Sequence, residues 1–271
     1  MADQELKWWH VRWRLAGRAI SRIAVVSGKV VGVLCLAAGI GCGVIYLLSP
    51  WLVSQRIIKV DPRLSIVPAD LPTKAGAPLS NATIDLYGFR VPLPNEEIAK
   101  TFQGDYVTLV RFRNGGFLTI NNPSQHSGIL EFAVSDKRAE RLVGQEVIRS
   151  KFKLMQAAMW AVPEQTKWWR FRSLENERVE YLLITKFSVL TGFGSPHSFT
   201  LGPIYTISAG RFRGFQIGNP DVPPYEAHLD LFDGDDQHFA FDVSGAEGHG
   251  QVLTQAEINA VVASIRPTPD H

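Results

Sequence analysis

Four side chains in the last third of the chain have the types and the spacing for chemistry. Residues 226–232 and 237–243 alternate apolar and polar on either side of Asp233-Gly234-Asp235, the pattern of a β-hairpin closed by an Asp-Gly turn. Successive strand residues point to opposite faces. Ala227, Leu229 and Leu231 therefore share a face with Phe239, Phe241 and Val243, and His228, Asp230, His238 and Asp242 share the other. Imidazole nitrogens and carboxylate oxygens converging there could ligate a divalent metal. The same alternation also describes an ordinary solvated strand face. Asp233, Asp235 and Asp236 add carboxylates at the turn, but the cation loop of helix–loop–helix proteins runs over about twelve residues. A tight turn accounts for them better.

Nucleophilic chemistry has one candidate. Gly194-Ser195-Pro196-His197 sets a hydroxyl beside an imidazole, with Pro196 making the segment a loop. Gly-x-Ser-x-Gly, His-Glu-x-x-His and Ser-x-x-Lys arrangements do not occur in a usable context. No glycine loop suited to a phosphate occurs either: Gly115-Gly116 belongs to a hairpin turn, and Gly192 and Gly194 lack a following lysine. No catalytic residue or cofactor is assigned. An envelope hydrolase using His197 or the hairpin histidines and aspartates stands as the alternative to a binding protein.

Binding chemistry has a stronger compositional trace. Arg-Phe-Arg occurs at 111–113, 170–172 and 211–213. On a strand the arginines of a triplet point the same way, so Arg111 with Arg113, and Arg211 with Arg213, would face outward while Phe112 and Phe212 are buried. Paired guanidiniums suit carboxylates and phosphates, which in a cell envelope means lipid headgroups or wall polymers. A solvated or salt-bridged strand face is the plainer explanation. Arg170 and Arg172 follow Trp168 and Trp169, whose adjacent indoles suit a sugar or a protein partner, or an anchoring role in the core.

The element that must position all of these is Val30 to Gln55, 26 residues without a charge, long enough to cross a bilayer once. Lys7, Arg12, Arg14, Arg18, Arg22 and Lys29 precede it; only Arg56, Lys59 and Arg63 follow closely. Basic flanks are retained in the cytoplasm. The N-terminus is thus expected in the cytoplasm and the remainder in the periplasm or another extracytoplasmic space, with the span in the inner or plasma membrane. The run is too long for a cleaved signal peptide, which favours a signal anchor. Gly32, Cys35, Gly39 and Gly43 form a small-residue stripe on which two such helices could associate into a homo-oligomer.

Charge divides along the same line. Of 28 basic and 26 acidic residues, the first 55 positions hold 6 and 2, leaving 22 and 24 for the rest. The outer part is slightly acidic, which excludes the positive footprint that nucleic acid requires. Both cysteines, Cys35 and Cys42, lie in the span, so the outer part has neither a disulfide framework nor a thiolate site.

Four segments follow: a basic amphipathic segment over 1–29, in which Trp9, Trp13, Ala16, Ile20 and Ile23 recur at helical spacing; the transmembrane anchor over 30–55; a tether over 56–80 containing Pro62, Pro68, Pro72 and Pro78; and an α+β domain over 81–271. In the domain, strands are expected over Thr83–Pro92, Tyr106–Arg113 and Phe117–Asn121, and a helix over Asp136–Ala161. A second helix starts at Ser173 and stops at Gly192, followed by the C-terminal hairpin. The last helix has a capping box, Thr254 with Glu257, and a buried stripe of Ile258, Val261, Val262 and Ile265. Antiparallel sheet with helices packed on it is the expected class.

The order of strand, Asp-Gly turn and strand, then Leu253 to Ile258 and the helix ending Ala263 to Pro267, resembles the close of the PsbP-type α-β-α sandwich. Gly88 to Pro94 is similar to that family's opening Gly-Phe-x-Val-Pro-x-Pro strand. The resemblance covers these two ends of the domain. It implies a binding or assembly module more than an enzyme, an accessory component taking a protein partner or an envelope ligand.

Overall fold

A computed structural model of the chain describes residues 35–71, 77–94, 96–122, 130, 137–192, 202–245 and 253–268. It divides into two compact units, Met1–Ser49 and Pro50–His271. Helix α1, Cys35–Val60, is long and apolar enough to cross a membrane. Within the first unit its apolar side chains, among them Leu36, Ile40, Val44 and Ile45, are exposed. Residues 1–29, with the amphipathic reading placed on them, and Gly32 lie outside the described residues.

The second unit is built on an antiparallel sheet because its sequence alternates wherever a turn residue permits reversal. The strands are β1 Ala69–Asp70, β2 Leu79–Leu86, β3 Phe89–Pro94, β4 Ile98–Gln103, β5 Val107–Phe112 and β6 Gly116–Asn121. Helices α2 Lys137–Val143, α3 Gln145–Ile148, α4 Lys151–Met159 and α5 Leu174–Gly192 follow. Then come β7 Ile204–Ala209, β8 Phe212–Gly218, β9 Ala227–Phe232, β10 His238–Gly245, helix α6 Gln255–Ser264 and β11 Arg266–Pro267. Eight strands form one sheet in the order β1-β7-β8-β9-β10-β6-β5-β4, and three form another, β11-β3-β2. Among the described strands only β1 runs parallel to its neighbour.

The large sheet has a core on each face. On one, Phe89 and Val91 of β3 and Ile258, Val261 and Val262 of α6 pack on Leu229, Leu231, Phe239 and Phe241. The Phe89 and Phe239 rings meet edge to face at 4.6 Å. On the other face, Leu154, Met155 and Leu183 of the helical layer cover Phe215, Ile217 and Phe232. Burial of each such side chain is worth about 1.5–3 kcal/mol. The two segments that carry the PsbP-type resemblance are neighbours, since Arg266 pairs with Arg90 and Pro267 with Phe89.

Several boundaries differ from the sequence expectation for identifiable reasons. Thr83–Pro92 is the centre of a hairpin, with Tyr87 and Gly88 at φ 53° and 82° making the reversal. The helix expected over Asp136–Ala161 is interrupted by Gly144, at φ 89°, and by Ser150, whose Oγ accepts the Lys153 N–H and so starts α4 afresh. The proline-rich stretch assigned as a tether begins inside α1 and then folds against the domain. Asp61 accepts from Arg63 to open the 3-10 turn Pro62–Ser65, in which Leu64 is fully buried.

Candidate functional site

Strands β9 and β10 lie in the middle of the sheet, so both of their faces are covered, and all six residues of β9 are buried. His228, Asp230, His238 and Asp242 are therefore not a solvated face. Their side chains are 1%, 0%, 1% and 22% exposed. Asp242 sits directly across from His228 in the ladder. Its Oδ1 is 2.6 Å from His228 Nδ1; His228 Nε2 is 3.2 Å from Asp230 Oδ2; and Asp230 Oδ1 accepts from His238 Nε2 at 2.7 Å. The result is a chain, Asp242–His228–Asp230–His238. It ends where the His238 ring lies flat on Phe232, 4.6 Å between centres.

Burial by itself would drive the proton off His228, but the carboxylates on either side outweigh it and push its pKa up to about 10. Asp230 responds in kind. Burial would raise it, and the His228 charge with the two imidazole hydrogen bonds holds it well below the ordinary carboxylate range. His228 is thus held as an imidazolium, hydrogen-bonded through Nδ1 to Asp242 and ion-paired through Nε2 with Asp230. An imidazolium has no lone pair for a metal, because ligation requires the neutral ring. Among the described residues no group of three or more histidine, cysteine, aspartate or glutamate side chains is placed to hold a metal ion. The four residues act as a charge-assisted clasp between β9 and β10. A slip of one residue would carry these charges into the opposite, apolar core, so the clasp fixes register.

The acidic turn is absorbed by folding. Asp233 Oδ1 accepts the N–H groups of Asp235 and Gln237, and its other oxygen meets Arg211 at 3.3 Å. Asp236 reaches across to cap α4, accepting from the Ser150 hydroxyl and from the Lys151 and Phe152 amides.

The arginine triplets separate. Phe112 and Phe212 are buried as expected. Arg211 lies over Phe89 at 5.5 Å, and Arg213 over Phe152 at 4.1 Å, so both cover their own core. Arg170 pairs with Glu175, and Arg172 with Glu177. Arg111 and Arg113 remain on the surface, the first over the Phe117 ring and the second paired with Glu97 at 3.0 Å. At the turn end of the same hairpin, Phe102 and Tyr106 are exposed. Ser195 and His197 lie outside the described residues. Cys35, Gly39 and Gly43 are exposed on α1, and a Cβ at either glycine would meet nothing within 4 Å.

Trp168 and Trp169 do not enter the core. They stand edge to face, 5.9 Å between ring centres, in the loop from α4 to α5. Trp160, Phe171 and Leu174 are exposed with them; these five are 44–57% accessible. The loop is nonetheless rigidly built. The buried Asn176 amide accepts from the Lys167 N–H and donates to the Lys167 and Phe171 carbonyls at 2.8 and 2.7 Å.

Sequence reasoning missed the residue that holds this region together. Lys186 is fully buried, and its ammonium lies within 3.1 Å of four carbonyls: Leu64, Ile66, Met159 and Ala161. Burial lowers its pKa to about 8, with Asp61 and Glu164 opposing that shift. The signal was present, since Lys186 falls at helical spacing between Leu182 and Leu190 on the apolar face of α5. Gln216 and Gln255, which exchange reciprocal amide hydrogen bonds at 2.6 and 2.8 Å, had no such signal.

No family model, curated protein or solved structure matches the chain. Its functional reading therefore rests on its own geometry.

Proposed function

We propose that this chain is a single-pass protein of an inner or plasma membrane whose α+β domain works outside the cytoplasm as a binding or accessory component. The reading is supported at the membrane end by α1 and by the basic residues before it. It is carried by the β4–β5 end of the sheet. There β4 is the terminal strand, its residues Ala99–Gln103 are all exposed, Lys100 faces Arg111 across the ladder, and the exposed Phe102 and Tyr106 lie toward the β4–β5 turn. A terminal strand offers backbone donors and acceptors to an added strand, and flanking aromatic and guanidinium groups supply selectivity. The partner that fits is a protein segment in extended conformation carrying a carboxylate. The PsbP-type resemblance points to the same class of role. Self-association through Cys35, Gly39 and Gly43 belongs to the same proposal. A hydrolase built on the hairpin histidines would need them open to substrate, and His228 and His238 are sealed; Ser195 and His197, the other candidates, lie outside the described residues.

The test is photo-crosslinking of the full chain in its native membrane. A benzoylphenylalanine at Lys100 is expected to capture one discrete partner, and Arg111→Ala/Arg113→Ala to weaken capture about tenfold, near 1.4 kcal/mol. Capture no greater than from the same probe at Glu140, on the helical layer, would refute it.

A further inference from the structure

The small sheet shows how this chain handles two cations that face each other across a ladder. Arg266 of β11 is the partner of Arg90 in β3, and Arg90 is in turn the partner of Asp85 in β2. Arg90 donates to the two Asp85 carboxylate oxygens at 2.8 and 3.2 Å. The row reads cation, cation, acid, and the acid stands on the outermost strand.

The β4 end of the large sheet carries the first two members of the same row. Lys100 of β4 is the ladder partner of Arg111 in β5. Directly opposed side chains have Cβ atoms about 4.5–5.5 Å apart, and like charges at that spacing destabilise a sheet. Both side chains are exposed, and among the described residues neither forms an ion pair, whereas Arg113 is paired with Glu97. Arg111 lies over the Phe117 ring instead. Because β4 is terminal, the place that Asp85 fills in the small sheet falls, beside Lys100, where an added strand would lie.

Alternation extends the pattern by one position. Phe102 shares a face with Lys100, is 58% exposed, and has Leu109 as its ladder partner, so its row is apolar. All but one of the described strand pairings are antiparallel. A strand added to β4 in that sense sets one residue opposite Lys100 and, two residues earlier in its own sequence, another opposite Phe102.

We propose that the β4 edge takes an extended protein segment with an Asp or Glu facing Lys100 and an apolar side chain two residues earlier facing Phe102. The acid completes the Arg111–Lys100 row as Asp85 completes that of Arg266 and Arg90. This rests on the strand-addition reading above and adds the sequence that the edge selects. Backbone pairing attaches a segment whatever its sequence, and the alternate side chains choose among segments. The opposed cations favour an acid twice, because they are uncompensated before binding and would repel a third cation.

Phage-displayed short random segments, panned against the full chain in phosphatidylcholine nanodiscs and against its charge-reversed Lys100→Glu/Arg111→Glu variant, test this. Segments enriched on the parent are expected to carry an acid two residues after an apolar side chain, and those from the reversed chain a Lys or Arg at the acid's place. Recovery of the same acidic segments from both chains overturns the proposal. Lys100→Gln should bind a selected segment about tenfold more weakly yet melt no lower than the parent, since it relieves the opposed charges. A lower melting temperature would make the pair a structural contact and also overturns it. A benzoylphenylalanine at Thr101, on the opposite face, locates the segment while leaving Lys100 in place. Crosslinking from 101 without preference for an acid sinks the acid alone and leaves strand addition standing. Enriched segments that do not crosslink from 101, or no enrichment at all, sink strand addition and the acid with it.

Discussion

His228 shows how a residue type can suggest chemistry while its surroundings assign it another task. Its pKa, ordinarily 6.5, is raised to about 10 in the folded chain. A base with a raised folded pKa favours folding fully below its unfolded value and loses that contribution as pH climbs through the folded value. Stability from the clasp should therefore fall between about pH 6.5 and pH 10. Asp230 works in the opposite direction. Its pKa is lowered from 3.8, so its contribution is present above that value and is lost on further acidification. Thermal unfolding of the detergent-solubilised chain between pH 4 and pH 10 should show the alkaline decline, and His228→Gln should flatten it. The substitution also leaves buried carboxylates without their cation, a loss of about 3–5 kcal/mol. An alkaline decline of equal steepness in the variant would show that the clasp does not set it. Asn176→Ala removes three hydrogen bonds from a buried amide and should cost about 3 kcal/mol by urea unfolding at pH 7.

At the scale of elements, the fold depends on a few polar ties between pieces that the hydrophobic pattern does not bring together. Lys186 joins the turn after α1 to the end of α4 through α5. Lys186→Met keeps the apolar volume and leaves four carbonyls without their donor. The expected outcome is early proteolytic cutting between residues 61 and 70 while the sheet stays protected, read by timed digestion and mass analysis. Unchanged cutting there would mean that packing of Leu64 suffices. For α1, Gly39→Leu should abolish self-association in a membrane two-hybrid assay if the small-residue face is the contact. Association that persists would exclude that face.

For the whole molecule, the proposal combines a bilayer-spanning helix with a domain whose sheet has a core on each face and whose β4–β5 end would meet a partner. Topology is the first consequence to check. Alkaline phosphatase fused after His271 should be active, as it folds only outside the cytoplasm, and a cytoplasmic reporter at the same place should be silent. The reverse result would overturn the orientation drawn from Lys7 to Lys29.

The sequence by itself determined whatever depends on local periodicity and composition: an apolar helix long enough for a membrane, the α+β class, the β9–β10 hairpin, and α6 with its capping box, which forms between Thr254 and Glu257 as read. These depend on spacing of 2.0 or 3.6 residues and on side chains three apart, which the chain carries within itself. Only the tertiary structure decided which polar residues are buried. Alternation identified the common face of His228, Asp230, His238 and Asp242 but not that β9 and β10 are central strands, because strand order is set by contacts between distant segments. Lys186 and Asn176 look like surface residues by type. They act as ties because the segments around residues 64, 159 and 167 fold onto them, and desolvation there makes each carbonyl they satisfy count.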